Sequence, residues 1–273
     1  MRLNKFVSES GICSRRVADT WITAGRVTVN GVVAGLGTQV EAGDQVCVDG
    51  KPVGPSRKNV YIALNKPVGI TCTTERHVSG NIVDFINHRE RIFPIGRLDK
   101  DSEGLILLTN NGDIVNQILR AENRHEKEYI VTVDRPITAA FISGMAGGVA
   151  ILDTVTQPCR VTRLDRNVFR IVLTQGLNRQ IRRMCEVFGY TVRRLQRVRI
   201  VNIRLDGLRA GQWRDLTENE LRVLLGAPDD AAPMRRIGEQ RKVLKLQKAT
   251  APSAPTVATP EPTGPWGTPR PKR

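Results

Sequence analysis

The densest group of residues that could do chemistry is Phe93-Pro94-Ile95-Gly96-Arg97-Leu98-Asp99-Lys100-Asp101-Ser102-Glu103-Gly104-Leu105-Ile106-Leu107-Leu108-Thr109-Asn110. A glycine, an arginine and several acids stand just before a fully apolar run. Carboxylates grouped this way can act as nucleophiles or bases, or hold a hard cation. No further carboxylate cluster completes a cation site, and a lone loop aspartate usually only faces water. Two later groups change the odds. His125-Glu126-Lys127-Glu128-Tyr129 brings a phenol to the start of an apolar stretch, and Gly176-Leu177-Asn178-Arg179-Gln180-Ile181-Arg182-Arg183-Met184 brings arginines to a helix. A guanidinium beside Asp99 would favour the ionised carboxylate and fix its orientation. Taken singly, Tyr129 is an ordinary half-buried strand aromatic, and Arg182 a helix-surface residue paired with Glu186 four positions on.

These side chains need a scaffold. Strands are predicted over Tyr61 to Leu64, Leu105 to Thr109, Tyr129 to Val133 and Phe169 to Leu173, and helices over Asp113 to Arg120 and Asn178 to Phe188. Without a regular βαβ alternation, residues 59–227 read as an α+β domain with a mixed, largely antiparallel sheet and helices against it. Ahead of it, residues 1–58 read as a small module of two helices and a small sheet. Leu3, Phe6 and Val7 recur at helical spacing until Gly11, and Ser14 is placed to cap a second helix through Val17, Ala18, Trp21 and Ile22. Asn30-Gly31 between Val27-Thr28-Val29 and Val32-Val33 signals a type I′ hairpin. A turn at Glu41 to Asp44 precedes a strand from Gln45 to Val48, and Lys51 to Lys58 reads as a linker. From 228 onward prolines and basic residues replace aliphatic periodicity, which predicts a disordered tail after a short helix near Ile237 to Lys248.

Charge narrows the partner. Forty-two Lys and Arg against 27 Asp and Glu give 42 − 27 = +15, a surplus that favours a polyanion, since phosphates neutralised by Lys or Arg release condensed counterions. Arg15 and Arg16 would open the second helix of the first module, where free N–H groups already attract phosphate, with Arg2, Lys5 and Arg26 on the same face. Arg193, Arg197 and Arg199 share one strand face at period two and are predicted to face nucleic acid. No apolar run is long enough to span a bilayer, and Met1 to Lys5 has no signal-peptide core, so a cytoplasmic protein without a membrane partner is expected. Five scattered cysteines and three histidines without ligand spacing fit reduced thiols and no metal site.

The motifs together resemble a known family. Arg2-Leu3-Asn4-Lys5-Phe6, Gly11-Ile12-Cys13-Ser14-Arg15-Arg16 and Gly25 to Gly31 resemble the S4 RNA-binding domain, and the Asp99, Tyr129 and Arg179–Met184 motifs resemble the RsuA/RluB/RluE/RluF group of pseudouridine synthases. The resemblance implies that Asp99 is the essential carboxylate, Tyr129 the active-site tyrosine, Arg182 the arginine beside the aspartate and Leu195 the apolar residue packed near the base. It leaves Arg97, Arg179 and Arg183 facing RNA. It also implies no cofactor, a monomer, and a uridine in ribosomal RNA as substrate. Ile62 to Ile70, Asn81 to Phe85 and Lys100-Asp101 favour the large subunit, with transfer RNA as a possible second substrate. Small-subunit RNA, and a non-catalytic RNA-binding assembly factor, are the alternatives.

Overall fold

The computed structural model describes residues 1–54, 58–119 and 125–227; the Pro-rich segment expected to form the tail lies outside the described residues. At the N-terminus, α1 (Leu3–Glu9) and α2 (Arg15–Thr23) pack beside a small antiparallel sheet of β1 (Val27–Val29), β2 (Val32–Val33), β3 (Val46–Val48) and β4 (Lys51–Val53), ordered β2-β1-β3-β4. Ser14 caps α2 by accepting the Val17 N–H, and Asn30 and Gly31 both take positive φ between β1 and β2, as the hairpin signal requires. One expectation is corrected: Lys51 to Val53 is not linker but pairs with β3. Its turn, Asp49-Gly50, repeats the positive-φ device of Asn30-Gly31, and the nearby prolines hid it. Leu3, Val7, Ala18, Ile22, Val27, Val46 and Val48 close this module's core.

The remaining elements are β5 (Tyr61–Lys66), α3 (Ile82–Ile86), β6 (Phe93–Ile95), β7 (Glu103–Thr109), α4 (Asp113–Leu119), β8 (Lys127–Val133), α5 (Ala139–Gly147), β9 (Ala150–Ile151), β10 (Thr154–Val155), β11 (Arg160–Asp165), β12 (Val168–Leu173), α6 (Gln180–Val187), β13 (Val192–Ile200), β14 (Ile203–Arg204), β15 (Trp213–Asp215) and α7 (Glu218–Leu224). Nine strands form one sheet, β11-β12-β8-β13-β7-β5-β15, with β14 on β13 and β6 on β7. Only β13 and β7 run parallel, so the fold is α+β with a mixed, largely antiparallel sheet.

Period-two alternation assigns the faces. Ile62, Leu64, Ile106 and Leu108 pack under Ile82 and Ile86 of α3, while Val131, Ile171 and Leu195 pack under α5 and α6. Tyr129 touches both clusters and marks their seam. Ala63, Leu105 and Leu107 face the other way, toward α4 and α7. The β7–β13 contact needs a glycine: a Cβ on Gly104, at φ +104°, would lie 2.2 Å from the Arg197 carbonyl oxygen. Among the described residues, no helix is long and apolar enough to cross a membrane.

Candidate active site

Asp99 sits in the loop between β6 and β7, and its backbone is fixed from three sides. Leu98 buries its side chain among the α3 cluster, and its N–H donates to Cys72 Sγ at 3.4 Å. Ser102 N–H donates to the Asp99 carbonyl at 3.1 Å, closing a turn, and Gly69 N–H donates to the Lys100 carbonyl at 2.8 Å. The carboxylate therefore projects from a rigid loop while staying about a third exposed. It lines a cleft of ≈ 490 Å³ with Val68, Gly69, Lys100, Asp101 and Arg179.

The arginine beside Asp99 is Arg179, not Arg182. Arg179 precedes α6 with φ +49°, a left-handed conformation that costs about 1 kcal/mol for a non-glycine residue. It aims the guanidinium at both acids, with Nη1 3.5 Å from Asp99 Oδ2 and 3.1 Å from Asp101 Oδ1, and Nη2 3.2 Å from Asp101 Oδ2. Arg182, one turn on, points inward and is buried. It donates to the carbonyls of Asp101 and Val192 and to Ser102 Oγ, and pairs with Asp101 Oδ2 at 3.2 Å. It thus holds the turn that carries Asp99 rather than Asp99 itself, and it does not pair with Glu186. Helical periodicity could not separate the two, because the left-handed residue at 179 resets the direction of the helix start.

Charge in this cluster is balanced. Partial burial works to raise the Asp101 pKa, but the Arg179 hydrogen bond and the charges of Arg182 and Arg179 outweigh it and hold the carboxyl below its usual range. The same bond to Asp101 raises the Arg179 pKa. Behind the loop lies a cation that sequence reasoning missed. Lys66, at the end of β5, is fully buried and donates to the carbonyls of Pro67 and Ile70, each at 2.9 Å. Burial pushes its pKa down, opposed by Cys72 and by Asp101, Glu103 and Asp99. The available signal was a lysine closing a mostly apolar strand, directly before a proline.

The other predicted residues divide. Tyr129 packs against the cluster that holds Leu98, and Leu195 belongs to the neighbouring cluster, buried with α6 residues; neither lines the cleft. Arg2, Arg15, Arg16, Arg97 and Arg193 are exposed. Lys5 pairs with Asp113 and Glu9, Arg26 with Asp49, and Arg183 with Asn178. The shared exposed face for Arg193, Arg197 and Arg199 is corrected. Irregularities in the pairing of β13 fall between Val192 and Arg194 and between Arg197 and Arg199, which breaks the period of two. Arg197 is 4% exposed and donates to the Leu105 carbonyl, and Arg199 pairs with Glu126 and Glu128. Among the described residues, no group of three or more His, Cys, Asp or Glu is gathered closely enough to hold a metal ion.

Comparison with known proteins shows the family. Residues 60–187 match the RNA pseudouridylate synthase family model and residues 1–46 the S4 domain model. The chain is 56% identical over 265 residues to the dual-specificity RNA pseudouridine synthase RluF of Salmonella typhi, covering 93% of this chain and 92% of that protein. It is 34% identical over 237 residues to ribosomal large subunit pseudouridine synthase B of Bacillus subtilis, covering 84% of this chain and 97% of that protein. A crystal structure of a pseudouridylate synthase superposes with a TM-score of 0.62 at 28% identity, over 82% of this chain and 99% of the other. The chain belongs to the RNA pseudouridine synthase family, in the RsuA/RluB/RluE/RluF group, and carries an S4 domain at residues 1–46.

Proposed function

We propose that this enzyme isomerises a uridine of large-subunit ribosomal RNA to pseudouridine, with Asp99 as the reacting carboxylate. The observation that carries the reading is an aspartate on a rigid loop, in an open cleft, with a guanidinium 3.5 Å away. The reaction breaks the bond between C1′ and N1, turns the uracil and joins C1′ to C5, with the C5 proton lost and N1 taking one up; it loses no group and needs no redox cofactor. Asp99 works either by attack or as a base on the ribose, and both require it ionised. Arg179 keeps the carboxylate oriented. Arg182 and Lys66 hold the two backbone segments that flank it. The family resemblance makes Tyr129 the ring against which the uracil stacks; it stands at the seam of the two apolar clusters without lining the cleft itself.

The names of the two relatives support the substrate: one is a large-subunit ribosomal enzyme, and the other is of dual specificity. A second RNA is therefore part of the proposal, with transfer RNA the first to test. Residues 1–58 bind RNA and residues 59–227 carry the chemistry, in a cytoplasmic monomer. Asp99→Asn keeps the shape of the side chain and removes its charge. Incubated with ribosomal RNA from cells lacking the gene, it is expected to form no pseudouridine while binding RNA within about two-fold of the parent. Undiminished product would sink the assignment.

A further inference from the structure

Aromatic residues are 4% of this chain, yet two of the large ones are left on the surface together. Trp213 on β15 is 40% exposed and Phe85 on α3 is 39% exposed. His88 joins them, its ring 5.7 Å from the Trp213 ring and nearly perpendicular to it. The turn that leads into β15 lies against Phe85, since a Cβ on Gly211 would be 3.5 Å from Phe85 Cζ. Trp213 and His88 thus meet edge to face, with Phe85 beside the turn into β15, at the β15 edge of the large sheet.

Its place is informative. Trp213 pairs with Leu64, so it shares the sheet face of Leu64, Leu98 and Tyr129. Lys66 pairs with Gly104, so the surface lies two strands, roughly 10 Å, across the sheet from the strand that follows Asp99. Cations neighbour these residues in the chain: the side chain of Arg89, next to His88, is 94% exposed and stands 3.9 Å from Glu90, and exposed Arg209 lies in the turn before Gly211. Flat exposed rings beside arginines, on a chain of net charge +15, suit an unpaired base better than an apolar protein face.

We propose that Phe85, His88 and Trp213 form a stacking site for an unpaired base of the RNA substrate, outside the cleft of Asp99, with Arg89 and Arg209 on its phosphates. The proposal rests on RNA being the substrate. It explains how the enzyme would prefer a uridine in a loop, because a paired neighbour presents no free face to stack.

The test uses the full chain with Trp21→Phe and Trp266→Phe, which leaves Trp213 as the only tryptophan. The probes are an RNA hairpin with a uridine-rich loop and a blunt duplex of the same stem. The hairpin is expected to quench Trp213 fluorescence and the duplex is not. Trp213→Ala and Phe85→Ala should each weaken hairpin binding about ten-fold or more, with Trp213→Phe restoring most of it. Circular dichroism melting separates lost stacking from lost fold, and the quench itself needs no substitution at the site. Absence of quenching, or an unchanged Kd in both alanine variants, would overturn the proposal and leave the rings as cover for the sheet edge. Pseudouridine formation by the parent enzyme is scored in parallel, so failure of the isomerase reading is distinguishable from failure of this one.

Discussion

Arg179 and Arg182 stand three positions apart in one motif and do different work. Arg179 reaches the cleft and both acids, while Arg182 is buried beneath the turn that carries them. Arg179→Ala is expected to lower kcat about 100-fold or more, as loss of a charge-stabilising donor does, with little change in melting. Arg182→Ala is expected to cost about 2 kcal/mol in urea unfolding, because it leaves the acceptors of Asp101, Ser102 and Val192 without their donor. Exchanged phenotypes would refute this division. Asp101 supplies a pH test. Its folded-state pKa lies below the usual range, because Arg179 and Arg182 outweigh the effect of burial. Its contribution is therefore present above the ordinary carboxylate pKa, about 3.9, and is lost as pH falls through the depressed value. Acid unfolding of Asp101→Asn should depend less steeply on pH in that window than that of the parent.

At the scale of elements, the parallel contact between β7 and β13 is what brings α6 to the Asp99 loop. It depends on Gly104, whose missing Cβ admits the Arg197 backbone. Gly104→Ala is expected to destabilise the protein by about 3 kcal/mol or more, read from the urea midpoint, or to prevent folding. A neutral result would mean that the strands separate at little cost. Elements with local signals were legible beforehand: the Ser14 cap, the Asn30-Gly31 turn and the apolar runs of β7 and β12 all follow from neighbouring residues. The short strand β4 and the edge strand β15 were not, since three residues carry too little periodicity and their pairing is decided by distant partners. The irregularities of β13 were equally hidden, because an inserted residue shows only against the strand it fails to match.

For the whole molecule, the surplus of positive charge sets how it meets RNA. Several predicted RNA contacts are engaged within the protein, including Lys5 with Asp113 and Arg199 with Glu126 and Glu128. Arg15 and Arg16 are exposed at the start of α2. RNA affinity should fall linearly in log–log form with added salt, and Arg15→Ala should reduce the slope by about 1, with weakening uniform across RNA sequences. Arg199→Ala should leave that slope unchanged and lower stability instead. A slope insensitive to Arg15 would move the phosphate-contacting surface elsewhere.

The sequence by itself determined the family and the chemistry, and pointed to Asp99 as the proposed reacting carboxylate, because Gly96-Arg97-Leu98-Asp99, the Lys127–Tyr129 element and the Arg179–Met184 motif occur together in order. It also determined the sign of the charge that meets RNA, which is a sum and needs no geometry. Only the tertiary structure decided which arginine faces Asp99, that Lys66 is buried behind it, and that Arg197 is buried within the sheet. Each of these depends on burial and on contacts between residues far apart in the chain. A left-handed residue at 179 and irregular pairing along β13 then turned particular side chains away from where a regular repeat would have put them.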